Sequence, residues 1–239
     1  MKTMDSSRIW KRASSLVIVS LLSLWIPALA NDIYIQQSGD NLDLDVTQDG
    51  QNNVAGTSST NISLTGDTMT LSISQIGNSN VVAVDINGNT YTGNINLTGS
   101  SNSVDLTCDS SGVNCETVSM SVDVTGSSAD ITINIGTTAD ADSYTGTLDI
   151  NSSASETVTL TANAVSATSD IDITNSSGLS GNTATYSQSG DGDVNGHSLT
   201  HSHTGDGAVI NMTQSGIYDN KINVTTSGDN AAIDITQSD

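Results

Sequence analysis

Glycine recurs at a fixed step along most of this chain, and that step constrains the fold more than any other feature. Glycines stand at 39 and 50, at 66, 77, 88 and 99, and at 205 and 216, each group advancing in steps of eleven residues. Gly228 follows Gly216 by twelve. Aligned on these glycines, the unit reads G-x-x-N-x-φ-x-φ-x-Q-x-G, where φ is apolar. Gly66 to Gly77 reads GDTMTLSISQIG, Gly77 to Gly88 reads GNSNVVAVDING, and Gly205 to Gly216 reads GDGAVINMTQSG. Gly228 onward reads GDNAAIDITQSD, and Leu42 to Gln48 repeats the same core near the start. A unit this short cannot bury an apolar face alone. It must stack on its neighbours.

The phase within the unit defines the local structure. Residues two apart share one face of a strand. Val82, Val84 and Ile86 therefore point inward, as do Leu71, Ile73 and Gln75, and Ile210, Met212 and Gln214. Asp43, Asp105, Asp123, Asp172 and Asp234 occupy outward slots between apolar residues. This is strand alternation bounded by turn residues, with no helical spacing after residue 30. The expected fold is all-β: a β-solenoid, or cross-β stack, of two-strand coils built from roughly eleven-residue strand–turn units. Inward amides then fall into ladders, each bonding to its copy one coil away. The expected ladder residues are Gln37, Gln48, Gln75, Gln188, Gln214 and Gln237, with Asn53, Asn80 and Asn102. Gly39, Gly50, Gly66, Gly77, Gly88, Gly99, Gly205 and Gly216 are the expected turn glycines.

Residues 1–30 have the plan of a signal peptide. Lys2, Arg8, Lys11 and Arg12 precede an apolar run from Ala13 to Ile26, then Pro27 and the small residues Ala28-Leu29-Ala30. Export with Asn31 as the new amino terminus is expected. Residues 31–239 then hold no Pro, Trp, Phe or Arg, and one Lys, Lys221, against 25 acids, for a net charge of about −24. Such a surface is a poor partner for nucleic acid. The missing proline suits unbroken backbone ladders. General acid–base and oxyanion chemistry usually draw on His, Lys, Arg and Tyr, so an enzyme is not expected. Neither a G-x-S-x-G elbow nor a nucleophile constellation occurs, and a carboxylate pair such as Asp140/Asp142 reads as solvated turn residues.

Cys108 and Cys115 have six residues between them. Metal pairs usually have two to four, with further ligands close by. A disulfide closing a small loop in an exported chain is the preferred reading. The regular frame divides the chain into 31–108 and 182–239. In 109–181, which opens on the cysteine loop, the repeats are degenerate. Apolar pairs persist there at Ile131/Ile133, Leu148/Ile150, Val158/Leu160 and Ile171/Ile173, without the Gln.

The unit resembles the curlin repeat of curli subunits, secreted bacterial proteins that form functional amyloid. Gln37-Ser38-Gly39, Gln48-Asp49-Gly50, Gln75-Ile76-Gly77, Gln188-Ser189-Gly190, Gln214-Ser215-Gly216 and Gln237-Ser238 carry the resemblance, with Asn53 and Asn80. Ile86, Leu97, Val124, His203 and Thr226 stand where curlin repeats have Gln, so this chain resembles a divergent member. The resemblance implies an extracellular solenoid that polymerises into biofilm fibres, with a nucleator subunit and an outer-membrane secretion channel as partners. No cofactor is expected.

Polymerisation is also expected from the residues. Strands over Ile33–Gln37 and Ile233–Gln237 lie at the two ends of the repeat array without a capping element, and open edges are templates for another copy. The outward Asp residues oppose association until acid, salt or cations screen them. The alternative function is a monomeric solenoid that binds a cell surface or ice, for which Thr157-Val158-Thr159-Leu160-Thr161 is the relevant segment. Two further features invite cation chemistry. His197, His201 and His203 cluster, with the last two on one strand face. Asp191-Gly192-Asp193-Val194-Asn195-Gly196 matches half of a calcium loop, without the closing Glu. Weak binding of divalent cations to the acidic surface is the broader expectation.

Overall fold

The structure is a computed structural model, and it describes residues 31–56, 61–108, 115–137, 141–175, 182–189, 197–216 and 220–238. The proposed signal peptide and the Asp191–Gly196 segment lie outside these residues. Sixteen strands and no helix occur among the described residues. The first seven are β1 (Asn31–Ile33), β2 (Gln36–Ser38), β3 (Asp43–Asp49), β4 (Asn53–Ala55), β5 (Ile62–Thr65), β6 (Met69–Ile76) and β7 (Ser79–Asn87). Four long strands follow: β8 (Thr90–Cys108), β9 (Thr117–Ile135), β10 (Ala141–Ser152) and β11 (Glu156–Asn175). The remainder are β12 (Thr183–Ser189), β13 (Ser198–Thr204), β14 (Val209–Ser215), β15 (Lys221–Ser227) and β16 (Ala232–Ser238).

Every strand pair is parallel, and the registers resolve into two walls of one β-solenoid. Wall one carries the column Ile33, Ala55, Val82, Val104, Ile131, Val158, Ala184, Ile210, Ile233. Wall two carries Val46, Ile73, Ile95, Val122, Leu148, Ile171, His201, Val224. The step between levels is 22 residues from Ile33 to Ala55 and 30 from Ile171 to His201. Two eleven-residue units therefore make one minimal coil. Longer coils take their extra residues between strands, and the registers continue past them.

Residues 117–135, 141–152 and 156–175, where the sequence frame loosens, belong to the longest strands. β8, β9 and β11 each run along one wall, pass a corner and continue on the other. Their inward residues are aliphatic: Leu106, Ile131, Ile133, Ile135, Val158 and Leu160 are all essentially buried. Packing of this continuous apolar interior substitutes for the missing Gln and for the regular spacing.

Two corners carry glycine columns, one after each wall. Gly39, Gly66 and Gly88 follow wall one; Gly50, Gly77, Gly99 and Gly126 follow wall two. Gly66 has a positive φ of +144°, whereas Gly88 and Gly99 do not. Their requirement is steric: a Cβ at Gly88 would overlap the Gly66 carbonyl oxygen, and one at Gly99 would overlap the Gly77 carbonyl oxygen.

Candidate functional site

Among the described residues the candidate site is the set of inward columns and the two outer levels where they stop. The asparagine column lies on wall one, with Asn53, Asn80 and Asn102 in register. All three are buried. Asn80 Nδ2 donates to Asn53 Oδ1 at 2.8 Å, and Asn53 Nδ2 donates to the Ile76 carbonyl at 3.2 Å. Asn102 instead donates to the carbonyl of Ser128 at 3.2 Å. Beyond it the column continues as Ala129 and Glu156. Glu156 is buried and accepts hydrogen bonds from the Ser152 hydroxyl and, at 2.8 Å, from Asn175 Nδ2.

The glutamines form two separate ladders. Gln75 Nε2 donates to Gln48 Oε1 on wall two. Gln214 Nε2 donates to Gln188 Oε1 at 2.8 Å on wall one, and Gln237 stands next in register. Gln37 stands on wall one against Leu64 and belongs to neither ladder. Between the ladders, Leu97, Val124, Ile150 and Ile173 fill the wall-two column. The eleven-residue unit is the same for both walls, so sequence reasoning placed all six glutamines together.

Sequence reasoning missed the corner turn Gly-Asp-x. It occurs at Gly39-Asp40-Asn41, Gly66-Asp67-Thr68, Gly205-Asp206-Gly207 and Gly228-Asp229-Asn230. The third residue is left-handed each time, with φ of 58° at Asn41, 59° at Thr68, 69° at Gly207 and 62° at Asn230. The aspartate serves the next coil: Asp40 Oδ1 accepts from the Asp67 N–H at 3.0 Å, and Asp206 Oδ1 from the Asp229 N–H at 2.8 Å. The repeated G-D dipeptide was the available signal.

Cys108 and Cys115 are joined in a disulfide with their Cα atoms 5.9 Å apart, and both are buried. Cys108 occupies the wall-one column between Ile86 and Ile135.

The three histidines lie on one inward rung of wall two, all buried. His201 takes the place of Ile171, and His203 that of Ile173, one level on. The Tyr186 hydroxyl lies 3.3 Å from His201 Nδ1. Burial, with neighbouring His203, lowers the His201 pKa to about 4. Burial also lowers His203, opposed by Glu156, and His197, opposed by the Ser215 backbone. Among the described residues, no group of three or more His, Cys, Asp or Glu is arranged to hold a metal ion.

Outside, acids stack. Asp123, Asp149 and Asp172 are successive in one outward column. Partial burial, then Asp123 and Asp172, raise the Asp149 pKa above the usual carboxylate value. Asp105 is raised in the same way, by partial burial and then by Asp85 and Asp130.

At the far end of the stack the inward columns surface. Ile233 is 44% exposed and Ile235 47% exposed, although Ile210 and Met212 in the same columns one level earlier are buried. Among the described residues no strand covers the outer edges of β15 and β16.

Comparisons with family models, with curated proteins and with solved structures each found no match to this chain.

Proposed function

We propose that this chain is a secreted structural subunit whose copies stack end to end into extracellular curli-like fibres of a biofilm matrix. The observation that carries this reading is the exposure of Ile233 and Ile235 in columns that are buried at the preceding level. Backbone groups on the outer edges of β15 and β16 face the same way and seek ladder partners. A further coil of the same kind satisfies both needs. The resemblance to curlin repeats supports the same reading, and it implies a nucleator and an outer-membrane channel as partners. The stacked acids supply repulsion that salt relieves, so assembly is expected to accelerate with ionic strength.

The second reading, a monomeric ice or surface binder, has one observation in its favour. Thr157 and Thr159 stand against Thr183 and Thr185 in register. The rank is short: Asp130 replaces threonine beside Thr157, Thr132 carries the Thr159 column one level further to Asp105, and Val209 and Asn211 close the other side. A flat threonine array needs more levels.

The test is incubation of purified chain with thioflavin fluorescence, light scattering and electron microscopy. Fibres are expected, sooner at high salt. A chain that stays monomeric for days across salt, calcium and pH 4–5 overturns the reading, and thermal hysteresis in that monomer favours the second.

A further inference from the structure

The two outer levels match each other in a particular orientation. Among the described residues the outermost rungs both belong to wall one: β1 with β2 at one end of the stack, and β16 at the other. Wall two begins with β3 and ends with β15. A copy placed with wall one on wall one leaves wall two short by one rung, between β15 and the next β3. A copy turned by half a turn about the stacking axis leaves no gap. Its β1 and β2 continue β15, and its β3 continues β16.

Three features agree with the half-turn. First, it sets Gly228-Asp229-Asn230 against Gly39-Asp40-Asn41 of the next copy, an offset of 189 residues. Both turns already have the same shape, with φ of 62° at Asn230 and 58° at Asn41. Within one chain Asp40 accepts the N–H of Asp67 and Asp206 that of Asp229, and the half-turn puts Asp229 in the same relation to Asp40 of the next copy. Second, the same offset sets Gln237 against Gln48. This joins the wall-one glutamine ladder of one copy to the wall-two ladder of the next. Third, it sets Lys221 against Asp32. Lys221 is the single Lys or Arg among residues 31–239, and both side chains are exposed in the isolated chain. Around them, Ile-Asp-Ile-Thr-Gln at 233–237 meets Leu-Asp-Val-Thr-Gln at 44–48.

We propose that a second copy of this chain docks on the β15/β16 end rotated by half a turn, in the register that pairs Gly228 with Gly39, Gln237 with Gln48 and Lys221 with Asp32. The register rests on the fibre reading above and adds to it the geometry of the joint. Successive copies alternate in facing, and a glutamine ladder and a turn ladder run through each joint. The Lys221–Asp32 pair opposes the repulsion of the stacked acids at the joint.

Two chains carrying paired cysteines test the register. In the half-turn joint Ser227 neighbours Ser38 of the next copy, at the strand spacing of about 4.8 Å, within the Cα range of a disulfide. In a straight joint Ser238 neighbours Ser38 instead. Fibres of S38C/S227C are expected to oxidise into covalent chains of many copies, and fibres of S38C/S238C are not. Cross-linking of S38C/S238C, or of neither, overturns the register while leaving fibre formation intact. Absence of fibres in the unmodified chain overturns both. A charge swap adds a second readout that leaves the interior untouched. K221D is expected to slow elongation roughly fivefold, the scale of one exposed pair. Adding D32K is expected to restore the rate, and adding D43K is not. Rescue by D43K alone, or no effect of K221D, counts against the half-turn.

Discussion

The ring of Tyr91 lies over Gly93, two residues along the same inward face, and fills the space that a side chain there would need. Tyr144 does the same over Gly146. One level on from Tyr91 and Gly93, the same two columns hold Val118 and Met120. One large and one absent side chain thus alternate with two of middle size, and the interior keeps a constant width. Gly93→Met is expected to cost about 1–3 kcal/mol by overpacking, and Tyr91→Val about 2–4 kcal/mol by leaving a void. The double variant Tyr91→Val/Gly93→Met copies the neighbouring level and is expected to recover much of the loss. Urea unfolding of the four chains measures the coupling; simple additivity contradicts the paired packing.

Thr68 holds a left-handed backbone that Asn41, Asn230 and Gly207 hold in the equivalent turns. A β-branched residue is strained there. Thr68→Asn or Thr68→Gly is expected to stabilise the chain by about 1 kcal/mol. A raised urea midpoint at unchanged slope checks it, and a lowered midpoint contradicts it.

The histidine rung sets an acid limit on the C-terminal coils. The His201 pKa is lowered from 6.5 to about 4 by burial and His203, so the unfolded chain binds protons that the folded chain refuses. Its stabilising contribution is intact above pH 6.5, declines as pH falls and is exhausted near pH 4. The loss from His201 alone is roughly 2–3 kcal/mol. The ionisable side chains that face the rung are Tyr186 and Glu156, whereas Asn220, Ile222, Val224 and Thr226 of the next level carry no ionisable group. Asp105 and Asp149 act with the opposite sign. Burial and then neighbouring acids raise them, so protonation relieves the folded state as pH falls, and this gain levels off below about 3.8. The opposing effects are separated in space. Hydrogen exchange at pH 5, corrected for intrinsic rates, is expected to show β13 and β15 losing protection while β8–β10 keep theirs. His201→Val/His203→Gln is expected to remove the loss. Uniform behaviour along the stack contradicts this assignment.

Cys108 and Cys115 close a loop of about eight residues, for which chain entropy gives roughly 2–3 kcal/mol. The double serine variant is expected to lose that much in urea unfolding and to retain its strand content by circular dichroism. Loss of the strands would show that the disulfide holds the register, rather than the columns of β8 and β9.

Much of this was legible in the sequence because a strand face repeats every two residues. Val82, Val84 and Ile86 announce themselves as buried, and they are. The glycine frame was legible as a period, but not as two alternating columns, because Gly88 and Gly99 answer to carbonyl oxygens one coil away. The assignment of Gln48 and Gln214 to different walls was hidden for a related reason: the unit is identical on both. Between Gly126 and Gly181 the eleven-residue spacing was the wrong guide. Strands β9 to β11 are held by aliphatic columns such as Ile131 and Val158, which tolerate longer connections. His203 reads from sequence as the occupant of an inward Gln slot, with a metal site as the lesser alternative; His201 and His203 stand in the buried columns of Ile171 and Ile173.

In the proposed fibre the open levels of this solenoid continue from copy to copy. X-ray diffraction from aligned assemblies of the purified chain tests it most directly. Fibres are expected to give a meridional reflection at about 4.8 Å, the spacing of parallel rungs along the stacking axis. Folded chains that stay monodisperse at single-chain mass, or fibres whose 4.8 Å reflection lies across the axis, would contradict it.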